Sequence, residues 1–429
     1  MATFRVAEVM PAFPIHFENL GAPDKDLLEV LRQRDPRFSA AKVPASRPLM
    51  ERHAGWLQEF LATKAEGGKA RKVAGTRCGA VRSLRRVIIR NALVHMVRTM
   101  PRKPLSFLIS AALLLTVSAA AQNRAAWMPD AQWGVMTHYL ADWQARTHNL
   151  TMSVDEWNRL VDGFDAEGMA RQLALVGARY YQISIGQNSG YYLSPNAAYD
   201  RITGIQPSKC SRRDLVADLY EALNKRGIKL MVYLPSGAPA GDREADAALE
   251  WQNGPHPNRE FQRKWEQVIR EWSLRWGKKV VGWWFDGCYF PNTMYRSPDA
   301  PNFASFAAAA RAGNPDAAVA FNPGVVYRML SLTPYEDFTA GEIDKPELVA
   351  IRRGADGKID GTQIHMLSYL GQTWGMGAPR FTSEQAIEYT RKVRQSGGAV
   401  TWDVPVELNG AISQPFLDQL TALGKALGK

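Results

Sequence analysis

The chain has 429 residues, 46% hydrophobic and 22% charged, enough for one large globular domain or two small ones. Its formal charge of +11 would suit a nucleic-acid or anionic-surface ligand only if it were spread over the fold. It is not: residues 1–121 hold 20 of the 53 Lys and Arg and 9 of the 42 Asp and Glu, which leaves 33 of each sign and a neutral remainder. A neutral, Trp-rich remainder argues against a phosphate-tracking surface and for an uncharged, ring-shaped ligand.

Near residue 100, Arg98, Arg102 and Lys103 precede the apolar run Leu105-Ser106-Phe107-Leu108-Ile109-Ser110-Ala111-Ala112-Leu113-Leu114-Leu115, and Ala119-Ala120-Ala121-Gln122 follows. A basic region, a short apolar region and a small-residue site are the parts of a secretory signal peptide. The run falls short of the roughly 20 residues that a spanning helix needs, so a membrane anchor is the weaker reading. The expectation is a signal peptide over residues 96–121, cleavage after Ala121, and an exported, periplasmic or extracellular protein with no stable membrane span. Translation would then begin at Met96 or Met100. The Gly- and Arg-rich stretch over residues 1–95 reads as a structureless or over-extended leader, with a basic cytosolic arm as the alternative. Of the cysteines Cys78, Cys210 and Cys288, none has metal-ligand spacing, and they do not make a disulfide framework. No metal or cofactor motif is present.

From Gln132 onward, short apolar runs alternate with segments of helical period, the pattern of a parallel sheet built from βα units. Strands are predicted at 133–137, 179–185, 229–234, 280–285, 317–321, 338–341, 363–369 and 399–404. Helices are predicted from Arg213 to Leu223, closed by Gly227; from Phe261 to Trp276, closed by Gly277; from a capping start at Thr382; and from Pro415 to Leu427. Eight strands with helical returns over about 300 residues have the dimensions of a (β/α)8 TIM barrel. A single catalytic domain over residues 122–429 is expected. An open doubly wound sheet is the alternative, weakened because no Gly-rich phosphate loop follows any strand.

A barrel carries its chemistry where strands end. Those positions hold His138, Gln187 and Asn188, Ser236, Asp286, Asn322, Glu342, Trp374 and Asp403. Asp286 ends an otherwise apolar strand, where an unpaired charge would be costly, so it is either a satisfied acceptor or a functional group. A retaining glycosidase needs a second carboxyl group, and Glu342 is the leading candidate, with Asp337, Asp344, Asp403 and Glu407 competing. Trp284, Trp374 and Trp402 could stack on a sugar ring. Alternation puts Trp284 and Asp286 on one side of their strand and Trp283 on the helix-facing side, and Trp402 reads better as core.

These residues resemble the α-L-fucosidase family over Gln132–Leu427. Trp133-Gly134-Val135-Met136-Thr137-His138-Tyr139 is similar to the family's W-F-G-x-F-x-H-W-G, which implies a sugar-hydroxyl contact for His138. Arg213-Asp214-Leu215-Val216 and Gly227-Ile228-Lys229-Leu230 resemble R-D-L-V and G-x-K-x. Trp284-Phe285-Asp286-Gly287 resembles W-F-D-G, which implies that Asp286 is the nucleophile. Asp337-Phe338-Thr339-Ala340-Gly341-Glu342 resembles D-F-x-T-x-E, which implies that Glu342 is the acid/base. Thr373-Trp374-Gly375 resembles S-W-G-Y, and Gly397-Gly398 with Asp403–Ile412 resembles G-G-N-L-L-L-N-V-G-P-x-x-D-G-x-I.

The departures are as informative. Where the family has K-H-H-D-G-F, this chain has Gly186-Gln187-Asn188-Ser189-Gly190-Tyr191, and Asn322-Pro323-Gly324 replaces N-D-R. The family's C-terminal β-sandwich is not expected. The resemblance implies a retaining glycosidase acting on a glycan, with His138, Gln187, Asn188, Trp284, Asn322 and Trp374 around the sugar. The same mechanism on a different sugar and a non-catalytic glycan-binding barrel are the alternatives. With both imidazoles replaced by amides, a simple α-L-fucoside is not expected to be the best substrate.

Overall fold

The computed structural model describes residues 123–428. The expected signal peptide and the leader, Cys78 included, lie outside the described residues. Seven parallel strands form one sheet of order β5-β4-β3-β2-β1-β7-β6. They are β1 (Trp133–Thr137), β2 (Tyr180–Ser184), β3 (Lys229–Pro235), β4 (Val280–Asp286), β5 (Ala318–Phe321), β6 (His365–Tyr369) and β7 (Ala399–Asp403). Every residue of β1, β2, β5 and β7 is buried, as expected of strands covered on both faces.

The helices between them use the signals that the sequence shows. The return after β2 ends in α1 (Leu215–Asn224), capped by the Asp214 carboxylate accepting from the Ala217 N–H. Helix α2 (Arg259–Trp276) stops at Gly277, whose φ of 53° suits a residue without a side chain. Helix α3 (Ser383–Gln395) opens with a reciprocal capping box between Thr382 and Gln385. Helix α4 (Gln414–Ala426) packs its buried Phe416, Leu420 and Leu423 into the outer core. Trp283 joins that outer core, 5.7 Å between centroids from Trp276, whereas Trp284 belongs to an inner cluster with Met136, Tyr180, Met231 and Phe338. The alternation read along β4 is therefore the observed one.

The strand expected at 338–341 is not a regular strand. Residues 337–343 run between β5 and β6 through isolated parallel bridges, with the Asp337 N–H donating to Val319 O and the Thr339 N–H to Gln363 O. Two local features break the ladder. The Thr339 hydroxyl donates to His365 O and accepts from the His365 N–H, standing in for a backbone pair. Gly341 has a φ of 59° and approaches the His365 carbonyl so closely that a Cβ there would lie 2.0 Å from the oxygen.

The amino-terminal ends of the strands are plugged by the segment before β1. Ala125, Met128 and Ala131 are buried in the inner cluster, and Trp127 meets the Tyr180 ring edge-on at 5.4 Å. Arg124 adds a bond to Pro315 O at 2.6 Å. No helix of the described residues is long and apolar enough to cross a membrane. A chain beginning at Gln122 is expected to melt with the full chain, whereas one beginning at Gln132 loses the plug and on the order of 3 kcal/mol, the cost of emptying a buried Met-sized site. Calorimetric Tm values for the three chains check this, and equal values for all three would contradict it.

Candidate active site

Strand ends converge as the parallel sheet requires: His138 follows β1, Gln187 lies three residues beyond β2, Asp286 ends β4, Asn322 follows β5, and Asp403 ends β7. Three hydrogen bonds fix the Asp286 carboxylate. The Gly287 N–H and Asn322 Nδ2 each donate to Oδ1 at 2.8 Å, and the Tyr233 hydroxyl donates to Oδ2 at 2.6 Å. Asn322 is fully buried, and its Nδ2 also donates to Glu342 Oε2 at 2.6 Å, so one amide bridges the two carboxyl groups. The orientation of that amide is settled by the Gly324 N–H, which donates to Asn322 Oδ1 at 3.1 Å.

Glu342 keeps a partly exposed edge, but the surroundings of its carboxyl are mostly protein. Burial pushes its pKa up to about 8, with the Asp286 charge adding to the effect and the Asn322 amide opposing it. The site thus holds one carboxyl that keeps its proton to higher pH than usual beside another that accepts three donors. Tyr289, 40% exposed, sits over the Gly324 turn, where a Cβ would be 3.2 Å from its ring. The charge of Asp286, then burial, then Glu342 hold its phenol well above the usual range.

A second cluster lies alongside. His138 Nδ1 and Asp403 Oδ1 are 2.8 Å apart, and the Gly375 N–H donates to Asp403 Oδ2 at 2.5 Å. The His138 ring sits among Trp143, Tyr233 and Trp374 at centroid distances of 4.7, 5.4 and 5.9 Å. Trp374, partly exposed, also meets Tyr369 at 4.6 Å.

The sequence-predicted residues divide accordingly. Asp286, Glu342 and Asn322 form one bonded group, and Gln187 joins it through Tyr233, to whose hydroxyl Gln187 Nε2 donates at 2.6 Å. Asn188 is exposed and stands outside that group, its backbone carbonyl accepting from the Gly241 N–H. Trp284, expected as a stacking platform, is 1% exposed; its indole donates to Ala340 O at 2.9 Å and stacks beneath Tyr233 at 5.3 Å. Trp402 is core, its indole donating to Thr390. Asp337, one of the competing carboxylates, is paired with Arg311 and with Arg124 at the opposite end of the sheet. Glu407 is exposed, on the turn between Val406 and Ile412. Cys210 and Cys288 are both buried and free. Sequence reasoning missed Tyr233 and Tyr289. The signal for Tyr233 was a phenol within two residues of the end of an apolar strand, where a polar handle needs a partner.

Two carboxyl groups brought together by one amide at the strand ends of an α/β sheet are the arrangement that glycoside hydrolysis uses. More particularly, the chain belongs to the alpha-L-fucosidase family, whose pattern residues 116–429 match. No curated protein matches it in sequence. Among solved structures it is similar in fold to the endo-fucoidan hydrolase P5AFcnA of glycoside hydrolase family 107, with a TM-score of 0.55, 17% identity, and 72% of this chain and 94% of that one covered. A second family 107 endo-fucoidan hydrolase, MfFcnA4, gives a TM-score of 0.54 at 20% identity over 71% of this chain and 54% of that one. The alpha-L-fucosidase AlfC from Lactobacillus casei, solved with its alpha-L-fucose product, gives 0.49 at 15% identity over 71% and 97%.

Removing the shared amide tests the electrostatics. In Asn322→Ala, Glu342 loses the donor that opposes its upward shift, so an alkaline limb of kcat/KM that reports Glu342 is expected to move to higher pH while kcat falls. A pH–rate profile checks this; a limb that stays in place or moves down contradicts it.

Proposed function

We propose that the chain is an exported retaining glycosidase on a complete (β/α)8 barrel, with residues 337–343 as the remaining stave, and that it cleaves an α-L-fucosyl or fucose-like bond of a glycan. The observation that carries this reading is the Asn322 bridge. Because both bonds share one nitrogen, the two acceptor oxygens lie at most about 5.4 Å apart, the two bond lengths end to end, against about 5 to 5.5 Å for double displacement and about 6.5 to 9.5 Å for inversion. Family membership supports the fucosyl class.

In the first step the Asp286 carboxylate attacks the anomeric carbon while Glu342 gives its proton to the departing oxygen. In the second, Glu342 as carboxylate takes a proton from water, which attacks the same carbon and releases Asp286. Tyr233, Asn322 and the Gly287 N–H keep the nucleophile oriented, and the lone pair used for attack is one that they leave free. His138, with Trp374 beside it, lines the sugar side of the cleft. The sugar contacts differ from the family pattern because Gln187 is engaged with Tyr233 and Asn188 lies outside the group.

Asp286→Asn is expected to lose about 10²-fold or more in kcat with an unchanged Tm. Glu342→Gln should retain glycosylation of aryl glycosides with good leaving groups and recover turnover with added azide. An Asp286→Asn variant within about tenfold of the parent, about 1.4 kcal/mol of barrier, eliminates Asp286 as nucleophile. Across a panel of aryl glycosides and fucosyl oligosaccharides, the simple aryl α-L-fucoside is not expected to be the best substrate. Its clear preference over every other member would overturn the altered recognition while leaving the mechanism standing.

A further inference from the structure

Asp403 is fully buried at the end of β7 and takes no part in the bond-making steps proposed above. Each of its oxygens has a single close donor: His138 Nδ1 on Oδ1 at 2.8 Å and the Gly375 N–H on Oδ2 at 2.5 Å. The two donors belong to different parts of the cleft. His138 follows β1, and Gly375 sits in the Thr373–Met376 turn that presents Trp374. That turn is close-packed. Gly375 has a φ of 58°, and a Cβ there would lie 2.6 Å from the Trp143 ring and 2.9 Å from the His138 Cβ.

We propose that Asp403 is the positioning residue of the sugar-binding wall. Accepting at both oxygens, it keeps His138 Nδ1 protonated so that Nε2 is the ring nitrogen left for a sugar hydroxyl, and it pins the turn that carries Trp374. An ionised carboxylate can only accept, so it is matched to two N–H donors. An asparagine of the same shape is not: if its oxygen faces Gly375, its NH2 faces His138 Nδ1, which must then be bare, with the proton on Nε2. If it turns the other way, two donors confront each other at Gly375. The carboxylate at position 403 therefore sets which partner the imidazole can offer the substrate. The inference rests on the reading of this cleft as a sugar site.

Selective 15N-histidine labelling of the full chain, with His138→Gln to assign the resonance, reads the tautomer without turnover. The parent is expected to show a protonated His138 Nδ1, and Asp403→Asn to show a bare Nδ1 with Nε2–H. With the preferred glycoside of the panel, Asp403→Asn should raise KM about tenfold with a smaller change in kcat, as the loss of one well-placed hydrogen bond predicts. A bare Nδ1 in the parent overturns the proposal, as does an Asp403→Asn variant with tautomer and KM both unchanged. Because the parent spectrum stands alone, a variant that fails to fold leaves the test intact. A chain that turns over no glycoside defeats the functional reading without touching the tautomer result.

Discussion

Two carboxyl groups within reach of one amide nitrogen set the terms for the rest of the cleft. Both cannot ionise cheaply in a largely desolvated site, and the structure resolves the conflict by unequal solvation within the protein. Asp286 receives donors from a backbone amide, a phenol and Asn322, whereas Glu342 shares only the last of these. Burial then raises the Glu342 carboxyl's hold on its proton. The bridge is also rigid. The Asn322 N–H donates to Phe285 O and its own carbonyl accepts from the Cys288 N–H, so the amide is clamped to the strand that carries Asp286.

The irregular segment between β5 and β6 follows from the same requirement. A regular strand through 337–343 would continue the ladder to its end and alternate its side chains without interruption. Here the Ala340 carbonyl accepts from the Trp284 indole, and the left-handed Gly341 redirects the chain just before Glu342. Beyond it, Glu342 and Ile343 pair with Leu367, which ties the backbone at Glu342 to β6. Trp284 thus supports the site from within, holding the approach to Glu342 through Ala340 and the phenol that bonds Asp286 through its stack on Tyr233. A substitution of this indole would reach both carboxyl groups without touching either.

Much of this was legible in the residues. Runs such as Val280–Phe285 announce buried strands because nothing polar interrupts them, and the Thr382–Gln385 box and Gly277 mark helix ends by local chemistry that needs no tertiary context. Asp286 stood out because a charge at the end of such a run demands a reason. The sixth strand position was not legible, since the break depends on a threonine hydroxyl and a glycine φ that only the neighbouring β6 makes necessary. Alternation gave the side on which Trp284 points but not its depth, so an inner support read as a platform. Asn322 read as a sugar contact because 20 residues of chain separate it from Glu342 and nothing local shows that the two meet.

The amide that stands at Gln187, beyond β2, has a consequence that reaches Asp286. The Tyr233 hydroxyl has one proton, and Gln187 Nε2 can only donate to it, so the phenol is left to direct its proton at Asp286 Oδ2. An imidazole in that place could accept as well as donate, and the phenol would then have a choice of partner. The amide removes the choice and builds a one-way chain from Gln187 through Tyr233 to Asp286, buried enough for each bond to polarise the next. The same bond commits one Gln187 N–H to Tyr233, while Asn188 is exposed and stands outside the bonded group. On the proposed reading of the cleft, His138 and Trp374, 5.9 Å apart between ring centroids, are left to meet the sugar, which is why their geometry bears on recognition.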